Sequence, residues 1–288
     1  MISNNKNLEI QISNISKYFK NKTAINDLSF NIFKGDLITL IGPNGSGKTT
    51  LFKIISTILN PDSGTLKIKN LDTLRKSQLI RDKIGLASHE SFLYKDLTLK
   101  ENLSFIGNLY RVANLEKRIS FLSEKFLMKN YIDKPIHTLS KGLIKRATLI
   151  RTFLHNPEIL LLDEPLSDLD LECQSILIEF LKQESSINKT ILISTHQIEL
   201  SIELKTQVAI INNGKLVNHL IQPPTSISTL KNIYSKSLNE TFVHELAHNH
   251  NRSHVDSSDE FNDSVSTSSN NDASYPYNST GKVYGRIG

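Results

Sequence analysis

The stretch Gly42-Pro43-Asn44-Gly45-Ser46-Gly47-Lys48-Thr49-Thr50 decides how this chain is read. It fits the pattern G-x-x-x-x-G-K-[ST], and its flanks supply the context that the pattern requires. Leu37-Ile38-Thr39-Leu40-Ile41 before it is an apolar run of strand length, and Leu51, Ile54, Ile55 and Ile58 after it recur at helical spacing. In a strand–glycine loop–helix unit, backbone N–H groups turn inward around phosphate oxygens and the helix N-terminus adds partial positive charge. Lys48 is then expected to reach the outer phosphates of a nucleotide, and the Thr49 hydroxyl to ligate Mg²⁺. The bland alternative is a glycine-rich turn between a strand and a helix.

Working outward, Leu8-Glu9-Ile10-Gln11-Ile12 and Leu28-Ser29-Phe30-Asn31-Ile32 alternate as half-buried strands do, and Lys34-Gly35-Asp36 turns into the strand that feeds the loop. Asn60-Pro61-Asp62-Ser63-Gly64 carries the turn residues that end the following helix. Residues 96–155 read as mostly helical, with Leu99, Leu103, Ile106 and Leu109 in step along one face. Strand–helix alternation returns over 157–220: Ile159–Leu162, Ile176–Leu181, Ile191–Ser194, Val208–Ile211. That order describes an α/β core interrupted by a helical insertion. After Gln222-Pro223-Pro224 the apolar periodicity fades, and from about residue 249 Ser, Asn and Asp dominate, which favours a disordered tail.

The 288 residues suffice for a substantial core. No run approaches the roughly 18 apolar residues that span a bilayer, and Met1-Ile2-Ser3-Asn4-Asn5-Lys6 lacks the apolar centre of a signal peptide. A single cysteine, Cys173, allows no internal disulfide and fits a reducing cytosol. The net charge of +5 comes from scattered lysines, with no basic stripe interleaved with aromatics, so no nucleic-acid partner is expected.

Ile159-Leu160-Leu161-Leu162-Asp163-Glu164 is a buried-type strand ending in two acids. Such a strand delivers its last side chains to the carboxyl edge of a parallel sheet, where α/β proteins bind ligands. Asp163 is expected there to hold the Mg²⁺ shell, and Glu164 to polarise a water for in-line attack on a γ-phosphate. Leu139-Ser140-Lys141-Gly142 precedes a helix about twenty residues upstream, and Thr195-His196 follows the strand Ile191–Ser194. Taken separately, Ser140 reads most cheaply as a helix N-cap and His196 as a polar residue at a strand end.

In this order and spacing the motifs resemble the ATP-binding cassette family, the motor subunits of ABC transporters, over about residues 8–218. The resemblance implies an α/β P-loop NTPase core with an antiparallel β subdomain and a helical subdomain at about 90–155, together forming a cassette over 1–222. It leaves a linker at 223–240 and a polar tail at 241–288. It makes Gly42, Pro43, Asn44, Gly45, Ser46, Gly47, Lys48, Thr49 and Thr50 the nucleotide loop, with Phe19 stacking on adenine and Tyr18 the neighbouring candidate. Asp163 ends the Walker B strand, with Glu164 as catalytic carboxylate and His196 as the switch histidine. Leu139, Ser140, Lys141 and Gly142 match the signature that closes on ATP held by a second subunit, and Asp168 and Asp170 match the D-loop. ATP and Mg²⁺ are the implied cofactors. A membrane-spanning permease and a second cassette are the implied partners, placing the chain at the cytoplasmic face of the plasma membrane.

Two departures from the family pattern stand out. Lys141 and Leu143 occupy signature places usually held by glycine and glutamine. In Ala87-Ser88-His89-Glu90, His89 replaces the glutamine that senses Mg²⁺. The segment from Ser88-His89-Glu90 to Leu97-Thr98-Leu99-Lys100-Glu101-Asn102-Leu103 looks similar to the ATPase subunits of the haem exporter of cytochrome c maturation, and general ABC-2-type exporters share most of it. A soluble, non-transport ABC ATPase is the competing class.

His244-Glu245-Leu246-Ala247-His248 fits H-E-x-x-H, and His254 falls at the third-ligand spacing of metzincin proteases. On a helix His244 and His248 would share a face toward zinc, with Glu245 as base. About 48 polar residues cannot build the sheet and cleft a catalytic zinc needs. A chance match or a protease-like fragment is therefore the expectation, with zinc in the tail at most adventitious.

Overall fold

The computed structural model describes residues 7–20 and 22–252. The chain opens with β1 (Leu8–Phe19), β2 (Lys22–Phe33) and β3 (Leu37–Ile41), then α1 (Lys48–Ile55), β4 (Ser63–Ile68), β5 (Leu71–Asp72), α2 (Thr73–Arg81) and β6 (Ile84–Ala87). Helices α3 (Leu99–Leu109), α4 (Leu115–Lys125) and α5 (Lys141–Phe153) follow. The last part runs β7 (Ile159–Asp163), α6 (Leu171–Ser186), β8 (Thr190–Ser194), α7 (Ile198–Glu203), β9 (Gln207–Asn212), β10 (Lys215–Leu220) and α8 (Ile227–Arg252).

Two sheets form. One is four-stranded and antiparallel in the order β2-β1-β4-β5; the other is six-stranded in the order β10-β9-β3-β8-β7-β6, parallel except for the β9–β10 hairpin. The aliphatic runs that the sequence offers as buried strands occupy the middle of the second sheet, where β7 and β8 are buried along their whole length. Strand β3, which feeds the glycine loop, lies between β9 and β8. The first sheet and α1 share one apolar core through Ile10, Ile25, Leu51 and Ile55. The helical insertion packs with α6 onto the other side of β7 and β8 through Leu160, Leu162 and Ile193, where Phe126 and Phe153 meet Phe180 of α6 in mutual ring contact.

Several boundaries differ from the sequence expectation. Strands β1 and β2 each run 12 residues, because irregularities in register interrupt the alternation without ending the pairing. One lies by Asn14, at φ +50, whose amide donates to Asp27 Oδ1 at 2.9 Å. Helix α1 stops at Ile55, so Ile58 lies beyond it and is 47% exposed, while Ser63 and Gly64 already belong to β4. Leu109 is 70% exposed, because the turn that buries Leu103 and Ile106 continues into Tyr110 instead.

The largest difference lies after Pro224. Where a linker is expected over 223–240, helix α8 begins at Ile227 and seats a fully buried Leu230 against Ile41, Val208 and Ile210, with Ile233 and Tyr234 beside it. Three apolar residues spaced three and four apart suffice for a docking stripe in an otherwise polar stretch. The chain divides into compact units at 1–244 and 245–288, and the second is described only over 245–252, as helix. The tail expected from 241 is therefore helical as far as Arg252. The rest of that expectation, disorder included, lies outside the described residues.

Candidate nucleotide site

The glycine loop is built for an anion. Helix α1 starts at Lys48 with no side chain capping it, so its leading N–H groups open toward the loop. Gly47, which precedes it, stands at φ +109, and a Cβ there would come within 2.5 Å of Ala24 O. The Lys48 ammonium closes the loop by donating to Gly42 O at 2.8 Å and Pro43 O at 3.0 Å. Burial pulls this ammonium below its ordinary pKa, and the nearby Glu164 and Asp163 carboxylates push it back up.

The acids arrive by register. Strand β7 pairs β8 so that Asp163 lies opposite Ser194, whose hydroxyl donates to Asp163 Oδ1. Thr49 Oγ1 donates to the other oxygen, Asp163 Oδ2, at 2.7 Å. Hydroxyl beside carboxylate is the all-oxygen donor chemistry that Mg²⁺ takes, so Thr49 and Asp163 fit the ion. Glu164 sits just past the strand at φ +46 and donates its N–H to Ser194 O at 3.0 Å. That kink turns its side chain toward His196, whose Nε2 lies 3.0 Å from Glu164 Oε1. The pair is close but not aligned as a hydrogen bond, leaving Oε1 buried without a hydrogen-bond partner.

These groups meet in one cavity of about 280 Å³. Its walls bring Phe19, His89, Asp163, Glu164 and His196 together with loop residues 44–50, and Lys22 joins them. Gly42 and Pro43 stand outside the lining and instead bond Lys48 through their carbonyls. Of the two aromatic candidates Phe19 borders the cavity, while Tyr18 is 51% exposed and does not. Lys22 carried no sequence signal, being one lysine among many near a strand start.

None of Leu139, Ser140, Lys141, Gly142, Asp168 and Asp170 lines this cavity. Ser140 is the N-cap of α5, accepting from Leu143 N at 3.3 Å. Asp170 caps α6, accepting from Cys173 N at 2.9 Å, and pairs with Arg146. His244 and His248 fall in α8 beyond the last described side chain, and His254 lies outside the described residues. Among the described residues no cluster of three histidine, cysteine or carboxylate groups could hold a metal ion.

A family model described as ABC transporter matches residues 25–167. The chain is 32% identical over 248 residues to the ABC transporter ATP-binding protein NatA of Bacillus subtilis, covering 82% of this chain and 98% of that one. The chain belongs to the ABC transporter family, as an ATP-binding protein.

This cassette is also 30% identical to the Nod factor export ATP-binding protein I of Sinorhizobium fredii, over 72% of this chain and 61% of that one. With the linearmycin resistance ATP-binding protein LnrL of Bacillus subtilis it shares 30% identity, over 72% and 68%. The fold matches a solved ATP-binding subunit of an ABC transporter at TM-score 0.71 and 24% identity, covering 82% of this chain and 98% of that one. It also matches the dimeric cassette MJ0796 bound to ADP and Pi at TM-score 0.68 and 26% identity, covering 73% and 97%. The cassette is an ATPase. Among its described residues no helix is long and apolar enough to cross a membrane.

Proposed function

We propose that this cassette is the ATP-hydrolysing subunit of an exporter, with two copies closing over two ATP molecules at the cytoplasmic face of a membrane and a separate permease moved by that closure. Glu164 carries the reading. A carboxylate oxygen that is buried, unbonded and beside a phosphate loop is suited to take the proton of an attacking water. Lys48 and the α1 N-terminus hold the outer phosphates, and His196 stabilises charge on the transferring phosphoryl group. Thr49, Asp163 and His89 would hold Mg²⁺, which when bound neutralises phosphate charge. Leu139–Gly142 would close on the nucleotide of the second copy, with Asp168 and Asp170 crossing between them and Phe19 stacking on adenine.

Export is favoured because Nod factor export and linearmycin resistance name two of the relatives. The narrower reading of haem export rests on His89 and the segment 88–103 alone. The deciding experiment is Glu164→Gln. ATP should bind and drive the variant into a dimer on size exclusion with light scattering, while turnover falls to background. Undiminished turnover would overturn the assignment of the base. Recruitment to membranes only with a co-expressed integral partner would separate a transporter subunit from a soluble ABC ATPase.

A further inference from the structure

Lys145 stands about one turn into α5, yet it is only 8% exposed. Its Nζ turns inward onto the tail of β7, donating to Glu164 O at 2.8 Å and reaching Asp163 O at 3.4 Å. Burying an ammonium is costly unless it is hydrogen-bonded and compensated. Both conditions are met: two carbonyls accept from it, and the Asp163, Asp168 and Glu164 carboxylates oppose the downward pull of burial on its pKa.

The peptide it grips aims the catalytic side chain. Glu164 stands at φ +46, a region that non-glycine residues hold only when their surroundings fix it. Lys145 fixes its carbonyl from one side, and the Ser167 hydroxyl donates to the same oxygen at 2.8 Å. Two neighbours on α5 meet the same segment. Arg146 pairs with Asp170, and at Gly142 a Cβ would meet Asp168 O at 2.8 Å. The start of α5, which carries Ser140 to Gly142, is thus held to residues 163–170 by two polar links, from Lys145 and Arg146, and approaches them closely at Gly142.

We propose that Lys145 is a positioning residue for hydrolysis: it holds the Glu164 peptide so that the carboxylate faces the phosphate loop, and it ties that carboxylate to the position of Leu139–Gly142. The second half rests on the reading that Leu139–Gly142 closes on a second copy's nucleotide; the first half does not. A shift of under 1 Å in a catalytic group can cost most of its effect, so a small loss of grip should appear in turnover and not in binding.

The test compares Lys145→Met, which keeps length but has no donor, with Lys145→Gln, which keeps an N–H donor without charge. Full-length protein is assayed for kcat and KM, and ATP affinity is measured by displacement of a fluorescent ATP analogue. Lys145→Met should lower kcat at least tenfold with KM and ATP affinity within twofold of wild type. Lys145→Gln should lose two- to fivefold at unchanged KM. The proposal is overturned if Lys145→Met turns over within twofold of wild type, if KM rises in step with the loss of kcat, or if Lys145→Gln is as slow as Lys145→Met. Should Lys145→Met not fold, an unchanged kcat in Lys145→Gln overturns the proposal on its own. In the Glu164→Gln background, absence of any ATP-driven dimer would sink the two-copy reading and leave the kcat comparison standing.

Discussion

His196 Nε2 and Glu164 Oε1 lie 3.0 Å apart without a hydrogen bond between them, one half-exposed and the other held in the wall of the same cavity. The carboxylate oxygen that faces the imidazole is thus shielded from solvent and accepts no hydrogen bond from it. In the proposed mechanism the two groups divide the chemistry, the acid handling a proton and the imidazole the developing charge.

His196→Ala should therefore slow the chemical step by about 100-fold, the scale of losing one preorganised donor to a transition-state oxygen. ATP affinity should stay within about threefold, because the loop and α1 supply ground-state binding through other atoms. Single-turnover hydrolysis alongside equilibrium ATP binding separates the two. A matching loss in affinity and rate would mean that His196 binds substrate without favouring the transition state.

Acid should destabilise the cassette through His155. Its ring stacks on Tyr110 at 4.1 Å between centroids, and Nε2 contacts Ile84 O at 3.1 Å. Burial first, and then the nearby Arg151 charge, push its pKa down from 6.5 to about 4, partly opposed by the Ile84 carbonyl and Asp82. Above about pH 6.5 the imidazole is neutral in both folded and unfolded chains and contributes no pH dependence. Below it the unfolded chain takes up a proton that the folded one refuses. Stability should therefore fall from about pH 6.5 to about pH 4 and level off beneath, by up to about 3 kcal/mol. Denaturant unfolding of wild type and His155→Gln at several pH values reads this as a difference in slope. Parallel slopes would show that the histidine is not held neutral.

How much of this was legible beforehand follows from which residues carried periodic information. Ile159–Leu162 and Leu37–Ile41 could hardly be anything but central strands, and the acids and glycines at their ends followed by position. The hairpin β1–β2 was only half visible, because bulges break strict alternation while hydrogen bonding continues. Lys145 was invisible: a lysine in a helix reads as a solvated charge, and only the tertiary approach of β7 turns it inward. The docking of α8 was missed for the opposite reason, its stripe being too narrow for the polar residues around it.

Leu230 tests that docking. It is fully buried among Ile41, Val208 and Ile210, at the end of the strand that feeds the phosphate loop. Leu230→Ala should cost about 2–5 kcal/mol, the range for a buried leucine whose cavity does not collapse. Urea unfolding provides the measurement, with the m-value checking that the unfolded reference has not changed. A cost under about 0.5 kcal/mol would mean that the helix does not seat on the sheet in solution.

His89 borders the same cavity as Thr49 and Asp163, and it brings a nitrogen donor to a site otherwise furnished with oxygens. Mg²⁺ favours oxygen ligands in strict octahedral geometry, whereas imidazole suits the softer first-row ions. Nucleotide affinity in Co²⁺ relative to Mg²⁺ should therefore be higher for wild type than for His89→Gln, whose amide restores an oxygen donor. The ratio should drop by about tenfold on substitution, the lower end of what altering a metal's ligand environment costs. Reading affinity through bound nucleotide keeps other histidines, including His244 and His248, out of the signal. An unchanged ratio would place His89 beside the nucleotide without contact to its metal.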